Sequence, residues 1–229
     1  MLKNVENVVT QNLISLKGDE RESKGSKFRR TVYKYPCKID SGGFEQVPRE
    51  LLIEINAFAN PEPSEIRKIR TLIAEHLIRK KRADLIARFG LENFSIRVLS
   101  PKRTLIEKML GVIKDSYSND PIARLSNRIR HLYDICLILR HDEYQDFIAS
   151  NEFKSLCDKC IEDEKVGGFE HSDYFEEPLI KAPLFSNFET WRNSLNITYT
   201  NVFSNLVHGD LPDMSEISDA LDLLQKHLK

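Results

Sequence analysis

Two consecutive amphipathic helices predicted between residues 100 and 139 place the strongest constraint on the fold. Ser100 is a favourable N-cap and Pro101 suits a first helical turn. Asp120 and Pro121 give a second start signal, for a helix that ends near Leu139. The apolar residues recur at helical spacing: Leu105, Ile106, Met109, Leu110 and Ile113 in the first segment, and Ile129, Leu132, Tyr133, Cys136 and Leu137 in the second.

Each apolar segment also carries a charged residue, Lys108 in the first and Asp134 in the second. Burying an unpaired charge costs several kcal/mol, so each needs a partner. If the two helices are neighbours, Lys108 and Asp134 can form an ion pair, and Arg130 can also reach Asp134 at the i, i+4 spacing. Two interpretations stay open for Lys108: a structural side chain whose stem covers the core, or a point charge that holds phosphate.

The remaining pattern places strands early in the chain and helices late, which is typical of an α+β fold. Alternating residues rich in β-branched and aromatic types predict strands within 28–40, 50–60 and 93–100. A helix is predicted over about 66–88, and helices fill most of the chain after residue 100.

Three strands make a small sheet, since the average sheet has about five or six. We therefore expect only a partial, mixed sheet near the N-terminus. The predicted domain organisation is an α/β part over residues 1–100 and a helical part over residues 101–229.

Charge is distributed unevenly along a chain of 229 residues whose formal net charge is −1. Basic residues dominate between Arg67 and Lys108, and acidic residues dominate between Asp142 and Glu177. The asymmetry fits a basic working face beside an acidic lobe, or simply two solvated helical surfaces. Because the net charge is close to zero, no overall field would attract a polyanion.

The four cysteines do not predict a metal or redox site. Cys157 and Cys160 form a CxxC in a helical region, but structural zinc normally takes four ligands and no second CxxC is present. We therefore expect no structural zinc. The chain has no apolar stretch long enough to span a membrane and no signal-peptide pattern. These features predict a cytoplasmic protein without membrane contact, with its thiols reduced.

Glu54 lies in an otherwise apolar predicted strand, between Ile53 and Ile55. One interpretation is a metal ligand or base at the working edge of the sheet. The other is a carboxylate that points to solvent from an edge strand.

Four stretches in order resemble the AbiEii/AbiGii abortive-infection nucleotidyltransferases of type IV toxin–antitoxin systems. The resemblance covers about residues 29–228, and its strongest parts are "LSPKRTLIEK" and "RHLYD". The other stretches are "ELLIEINAF" and the tail that begins "YTNVFSNLVHGDLPDM". This family belongs to the DNA-polymerase-β-like nucleotidyltransferase superfamily.

The resemblance implies transfer of a nucleotide from an NTP to an acceptor such as tRNA, with Mg²⁺, and a cognate antitoxin as partner. It implies catalytic roles for Glu54, Lys108 and Asp134, with Glu54 as a metal ligand. Lys108, Arg103 and Arg130 are the residues that the resemblance and their position suggest for nucleotide phosphate.

The chain departs from the family pattern at one point. A "GG-[ST]" segment and a "S-x-D-x-D" strand, which carry the main metal ligands of the family, have no counterpart, since Gly42–Gly43 are followed by no D-x-D. We therefore expect a catalytically incomplete chain: a C-terminal portion of a longer toxin, a natural truncation, or one half of a split enzyme.

A homodimer or a separate N-terminal half would then cover the open edge of the sheet. The alternative function is a noncatalytic helical protein that binds nucleotide, RNA or an antitoxin.

Overall fold

The computed structural model describes residues 2–35, 50–57, 60–167 and 172–228. Within these ranges the chain divides into two compact units, Met1–Asn60 and Pro61–Lys229. The first is built around a sheet and the second is mainly helical, so the expected α+β fold is confirmed. Cys37 and Gly42–Gly43 lie outside the described residues.

The first unit contains one helix and one antiparallel sheet. β3 pairs with β4 along its whole length, from Phe28 opposite Asn56 to Lys34 opposite Glu50, while β1 and β2 pair with short parts of β3. The carboxylate of Glu6 is buried, where it accepts hydrogen bonds from Tyr33 Oη and Arg29 Nε, both at 2.7 Å. The elements are α1 (Leu2–Val9), β1 (Ile14–Ser15), β2 (Ser23–Lys24), β3 (Phe28–Lys34) and β4 (Glu50–Asn56).

The second unit begins with a two-stranded antiparallel sheet, formed by β5 (Ser64–Ile69) and β6 (Phe94–Leu99). Its helices are α2 (Leu72–Arg79), α3 (Asp84–Phe89), α4 (Pro101–Ser116), α5 (Pro121–Asn127), α6 (Ile129–Leu139), α7 (Asp142–Ile148), α8 (Asn151–Gly167), α9 (Pro183–Asn201) and α10 (Met214–His227). Short 3₁₀ turns cover Ser172–Glu176, Leu179–Lys181 and Phe203–Leu206.

The core of the second unit surrounds α4, which packs against α5, α6, α8 and α9. Leu105, Ile106, Met109, Leu110 and Ile113 are all at most 1% exposed, as their spacing predicts. These apolar contacts fix the position of α4, so the polar side chains on its other faces are held at defined places.

Three details differ from the sequence-based prediction. The strand pairings described are all antiparallel and fall into two sheets, whereas one mixed sheet was expected. The helix predicted over 66–88 is instead the end of β5 followed by α2 and α3, because residues 64–69 pair with β6. The helix predicted up to Leu139 is broken at Arg128, which separates α5 from α6.

The structure also bears on the cysteines and on membrane insertion. Cys136, Cys157 and Cys160 are free and buried in the helical core. Burial raises the pKa of Cys136 to about 12 and that of Cys160 to about 11, so both thiols stay protonated near neutral pH. No helix within the described ranges has the length and apolar character needed to cross a bilayer.

Candidate functional site between α4 and α6

The first turn of α4 determines which residues of this helix face the candidate site. The Ser100 side chain accepts a hydrogen bond from the backbone nitrogen of Lys102, and Pro101 occupies the first helical turn. The cap satisfies one of the backbone donors that every helix start leaves without an intrahelical partner. From this start, Lys108, Gly111 and Asp115 follow along the helix at spacings of three and four, on the side that faces α6 and Arg128.

Lys108 and Asp134 meet across the α4–α6 seam. The Nζ atom of Lys108 lies 2.5 Å from Oδ2 of Asp134, and the two side chains are 21% and 34% exposed. The ion pair predicted from the sequence is therefore confirmed. Both side chains keep contact with solvent, so a ligand can approach the lysine without opening the core.

Arg130 does not form the alternative pair with Asp134. It is exposed, and it makes no ion pair with any residue in the described ranges. Asp134 is instead held from the neighbouring helix by Lys108. Arg130 is thus a solvent-facing cation one turn before Asp134 on α6.

His131 lies close to these charges and keeps its imidazole neutral. Burial, with the positive charges of Lys108, Arg128 and Arg130, lowers the pKa of His131 to about 4, although Asp134 acts in the opposite direction. Its Nδ1 atom is buried and has no hydrogen-bond partner among the described residues. A buried unpartnered nitrogen is costly, so it marks this seam as a place where a further polar group would be stabilising.

Gly111 allows the close approach of α4 to this histidine. A Cβ atom at Gly111 would lie 3.3 Å from Nη1 of Arg128 and 3.5 Å from Nδ1 of His131. Arg128 in turn forms an ion pair with Asp115, in which Nε of the arginine lies 2.9 Å from Oδ2 of the carboxylate. The seam therefore holds two ion pairs, Lys108–Asp134 and Arg128–Asp115, and a neutral histidine near both.

Arg103 occupies a different and more buried position on α4. Its side chain is 3% exposed and contacts Glu107 and Asp163, each at 2.7 Å. It also donates to the backbone oxygen of Glu62 at 2.7 Å. In this arrangement its guanidinium holds the start of α4 against α8 and against Glu62, two residues before β5. Its phosphate-binding role stays a prediction.

Glu54 belongs to the first unit. It lies on β4 opposite Arg30 of β3, and the two side chains form an ion pair of 2.6 Å. The Glu54 side chain is 48% exposed. This is the solvent-facing position that the sequence left open as one alternative, and the metal-binding role predicted for Glu54 stays untested.

The comparison with known proteins gives the family. Residues 1–221 match the model of the family described as nucleotidyl transferase AbiEii toxin, type IV toxin–antitoxin system. The chain belongs to the AbiEii family. No curated protein and no solved structure matches it. The resemblance found in the sequence is confirmed, and membership of a type IV toxin–antitoxin family implies an antitoxin as partner.

An AbiEii-type nucleotidyltransferase would be expected to hold divalent metal ions with carboxylates. Within the parts of the chain that the structure describes, no group of three or more His, Cys, Asp or Glu side chains is arranged to bind a metal ion. Asp134 is engaged by Lys108, and Glu54 by Arg30. The donor set described here does not fit a two-metal site, so no step is assigned to a metal held by these residues.

Sequence reasoning missed two members of the seam, Gly111 and Asp115. A glycine inside an apolar helix costs about 1 kcal/mol relative to alanine, and this cost is a signal of a close approach. Asp115 carried no comparable signal, since its partner Arg128 follows in the break between two helices.

Proposed function

We propose that this chain is the nucleotide-binding part of an AbiEii-family nucleotidyltransferase toxin, which transfers NMP from an NTP to an acceptor such as tRNA. The observation that carries the proposal is the partly exposed Lys108–Asp134 ion pair between α4 and α6, in a chain of this family. A fixed ammonium group that ligands can reach is suited to hold a phosphate.

In this proposal Lys108 binds the triphosphate and Asp134 positions the lysine. The ion pair holds the Lys108 side chain in one orientation before the nucleotide arrives, which reduces the entropy lost on binding. Arg130, which has no ion-pair partner in the described ranges, supplies a second cation from the next turn of α6. Arg103 would reach phosphate only after releasing Glu107 and Asp163.

The reaction proposed for the complete enzyme is a displacement at phosphorus. An acceptor hydroxyl oxygen forms a bond to the α-phosphorus of the NTP, and the bond from that phosphorus to the bridging oxygen breaks to release pyrophosphate. The hydroxyl proton leaves to solvent. Positive charge near the leaving pyrophosphate, as Lys108 would provide, stabilises the negative charge that develops there.

We further propose that the chain alone is catalytically incomplete. The sequence contains no D-x-D pair, and Glu54 offers one carboxylate where two metal ions about 4 Å apart need several. Glu54 is retained as a proposed single Mg²⁺ ligand, and the other ligands would come from another segment or chain. An antitoxin is the expected protein partner.

The noncatalytic alternative makes a different prediction. A helical protein that only binds an antitoxin or RNA through other surfaces would show no dependence on Lys108 beyond a small change in stability. The two functions can therefore be distinguished by the effect of a substitution at Lys108, compared with a control substitution elsewhere on the same helix.

A transfer assay tests the proposal. The purified chain is incubated with α-labelled NTPs, Mg²⁺ and bulk tRNA, and both protein-bound nucleotide and labelled tRNA are measured. We expect retained NTP with little or no labelled tRNA, and loss of the retained NTP in Lys108→Ala. Lys102→Ala is the matched control, because Lys102 lies on the same helix in an ion pair with Glu152.

Efficient labelling of tRNA by the chain alone would refute the incompleteness but support the transferase function. Absence of bound NTP in the wild-type chain would refute the nucleotide-binding proposal and leave the noncatalytic alternative.

A further inference from the structure

A cavity of about 510 Å³ opens where α4 ends and α5 begins. Its volume falls within the range of roughly 300–1,000 Å³ that is usual for ligand pockets. It is lined by the turn from Tyr117 to Asp120, by Arg124 and Arg128, and by Tyr174 from the 3₁₀ turn after α8. Arg128 connects the cavity to the α4–α6 seam, since the same arginine also approaches Gly111.

An aromatic platform forms one wall of this cavity. The rings of Tyr117 and Tyr174 are stacked, with centroids 4.9 Å apart and planes inclined by 10°. Tyr117 is the C-cap of α4, so this platform is held at the end of the central helix. Flat aromatic faces of this kind stack with any nucleobase, because every base has a π-face.

The polar groups of the cavity favour an anion. Two acids line it, but both are already engaged: Asp115 pairs with Arg128, and Asp120 accepts the backbone N–H of Ala123 at 3.0 Å. Lys114, which also lines the cavity, pairs with Glu164 at 3.1 Å. Arg124 is exposed and makes no side-chain hydrogen bond or ion pair within the described residues.

A second observation points to a ligand at the same place. The hydroxyl oxygen of Ser118 is buried, and it has no hydrogen-bond partner among the residues that the structure describes. A buried hydroxyl that makes no hydrogen bond costs free energy. Rotation about the Cα–Cβ bond of Ser118 towards a phosphate or ribose oxygen bound in the cavity would remove that cost. The cavity thus combines an aromatic platform, an available cation and an unsatisfied hydroxyl.

We propose that this cavity binds a nucleotide, with the base stacked on the Tyr117–Tyr174 platform and the phosphate held by Arg124 and Ser118. The site is separate from the Lys108–Asp134 site and is argued from its own contacts. Two sources share this chemistry, a free nucleoside monophosphate and the terminal nucleotide of a single-stranded RNA. If the proposed transfer function holds, the second source would make the cavity the acceptor site.

Binding of a fluorescein-labelled, single-stranded oligoribonucleotide, followed by fluorescence anisotropy, tests the site. Tyr174→Leu removes the platform and is expected to weaken binding about 10-fold, since stacking on one aromatic ring contributes about 1–3 kcal/mol per base. Tyr174→Phe keeps the ring and should retain the wild-type affinity. Arg124→Gln should weaken binding and reduce the slope of log K against log salt by about 0.7, the loss of one phosphate contact.

Arg192→Gln is the matched control, because Arg192 is an arginine on α9 outside the cavity, paired with Glu189. The affinity of Arg192→Gln for the oligoribonucleotide should equal that of the wild-type chain. Arg124 is exposed, so Arg124→Gln leaves the core intact and remains informative if Tyr174→Leu fails to fold.

Competition with unlabelled nucleoside monophosphates distinguishes the two sources. If a nucleoside monophosphate displaces the labelled RNA at a concentration similar to that needed with unlabelled RNA, the cavity is assigned to a free nucleotide. If it does not displace the RNA, the cavity is assigned to the RNA end. Wild-type affinity in both Tyr174→Leu and Arg124→Gln would overturn the proposal. So would a wild-type chain that binds neither the labelled oligoribonucleotide by anisotropy nor a nucleoside monophosphate by isothermal titration. NTP binding is measured in Arg124→Gln as well as in Lys108→Ala, so that each of the two sites is scored by its own variant and either can fail without the other.

Discussion

Lys108 and Asp134 lie 26 residues apart in the sequence but only 2.5 Å apart at their charged atoms, Nζ and Oδ2. The ion pair joins α4 and α6 of the second unit, and about a fifth of the Lys108 side chain and a third of the Asp134 side chain remain exposed. An ion pair with only a structural role would contribute little to stability at this position, because solvent-exposed pairs contribute only about 0–1 kcal/mol.

A double-mutant cycle on this pair should therefore show weak coupling. We expect Lys108→Ala, Asp134→Ala and the double variant to give a coupling free energy of about 0.5–1 kcal/mol in urea unfolding. Solvent reaches both side chains and screens their charges, which keeps the coupling free energy low. A coupling above about 3 kcal/mol would identify the pair as a main structural element and weaken its assignment as a ligand site.

Stability should fall as the pH is lowered, because His131 resists protonation in the folded state. Its pKa is lowered from 6.5 to about 4, mainly by burial and then by the charge of Lys108. Between these two values the unfolded chain binds a proton that the folded chain does not, so acidification favours unfolding.

The expected loss is on the order of 2 kcal/mol between pH 6.5 and about 4, and His131→Gln should remove this part of the pH dependence. Urea unfolding of both proteins at several pH values across this interval measures it. An identical pH dependence in His131→Gln would show that other groups are responsible.

Gly111 should tolerate one methyl group but not a larger side chain. In Gly111→Ala the new Cβ lies 3.3 Å from the flexible end of Arg128, which can move, and the helix gains up to about 1 kcal/mol in propensity. Gly111→Leu must displace His131 as well and should lose about 1–3 kcal/mol. Thermal unfolding of the two variants checks this order of stability. An equal loss of stability in both variants would show that the neighbouring side chains cannot move to admit even a methyl group.

Arg103 should act on stability before it acts on nucleotide binding. Arg103→Gln leaves the partly buried Asp163 carboxylate without its cation and should destabilise the chain by about 3 kcal/mol, near the range for breaking a buried pair. Lys102→Gln, at a more exposed pair on the same helix, should cost less than about 1 kcal/mol. Normal stability of Arg103→Gln with impaired NTP binding would restore the phosphate-binding role predicted from the sequence.

Local signals predicted much of the helical unit but not its long-range partners. The start of α4 was predictable because Ser100 and Pro101 act within one turn, and the Lys108–Asp134 pair followed from two neighbouring apolar helices. Residues 66–69 were predicted as the start of a helix over about 66–88, but they belong to β5. Their strand conformation depends on pairing with β6, about 30 residues later, which no local pattern specifies.

In the candidate site, too, the residues with a local sequence signal were predicted and those that depend on long-range contacts were not. The charged residues of the seam were visible as exceptions in apolar helices, whereas Asp115 was not, because its pairing with Arg128 depends on the break between α5 and α6. The choice of Lys108 rather than Arg130 as the partner of Asp134 required the position of α4, since both cations satisfied the sequence rule.

Nucleotide affinity is the most direct test of the Lys108–Asp134 site. Isothermal titration of ATP, CTP, GTP and UTP into the wild-type chain, Lys108→Ala and Lys102→Ala separates a phosphate ligand from a general loss of surface charge. We predict that at least one NTP binds the wild-type chain and Lys102→Ala equally, and that Lys108→Ala binds it about 10-fold or more weakly, as expected for a lost charge-assisted hydrogen bond. Equal affinity in wild-type and Lys108→Ala protein, with both folded, would contradict the account.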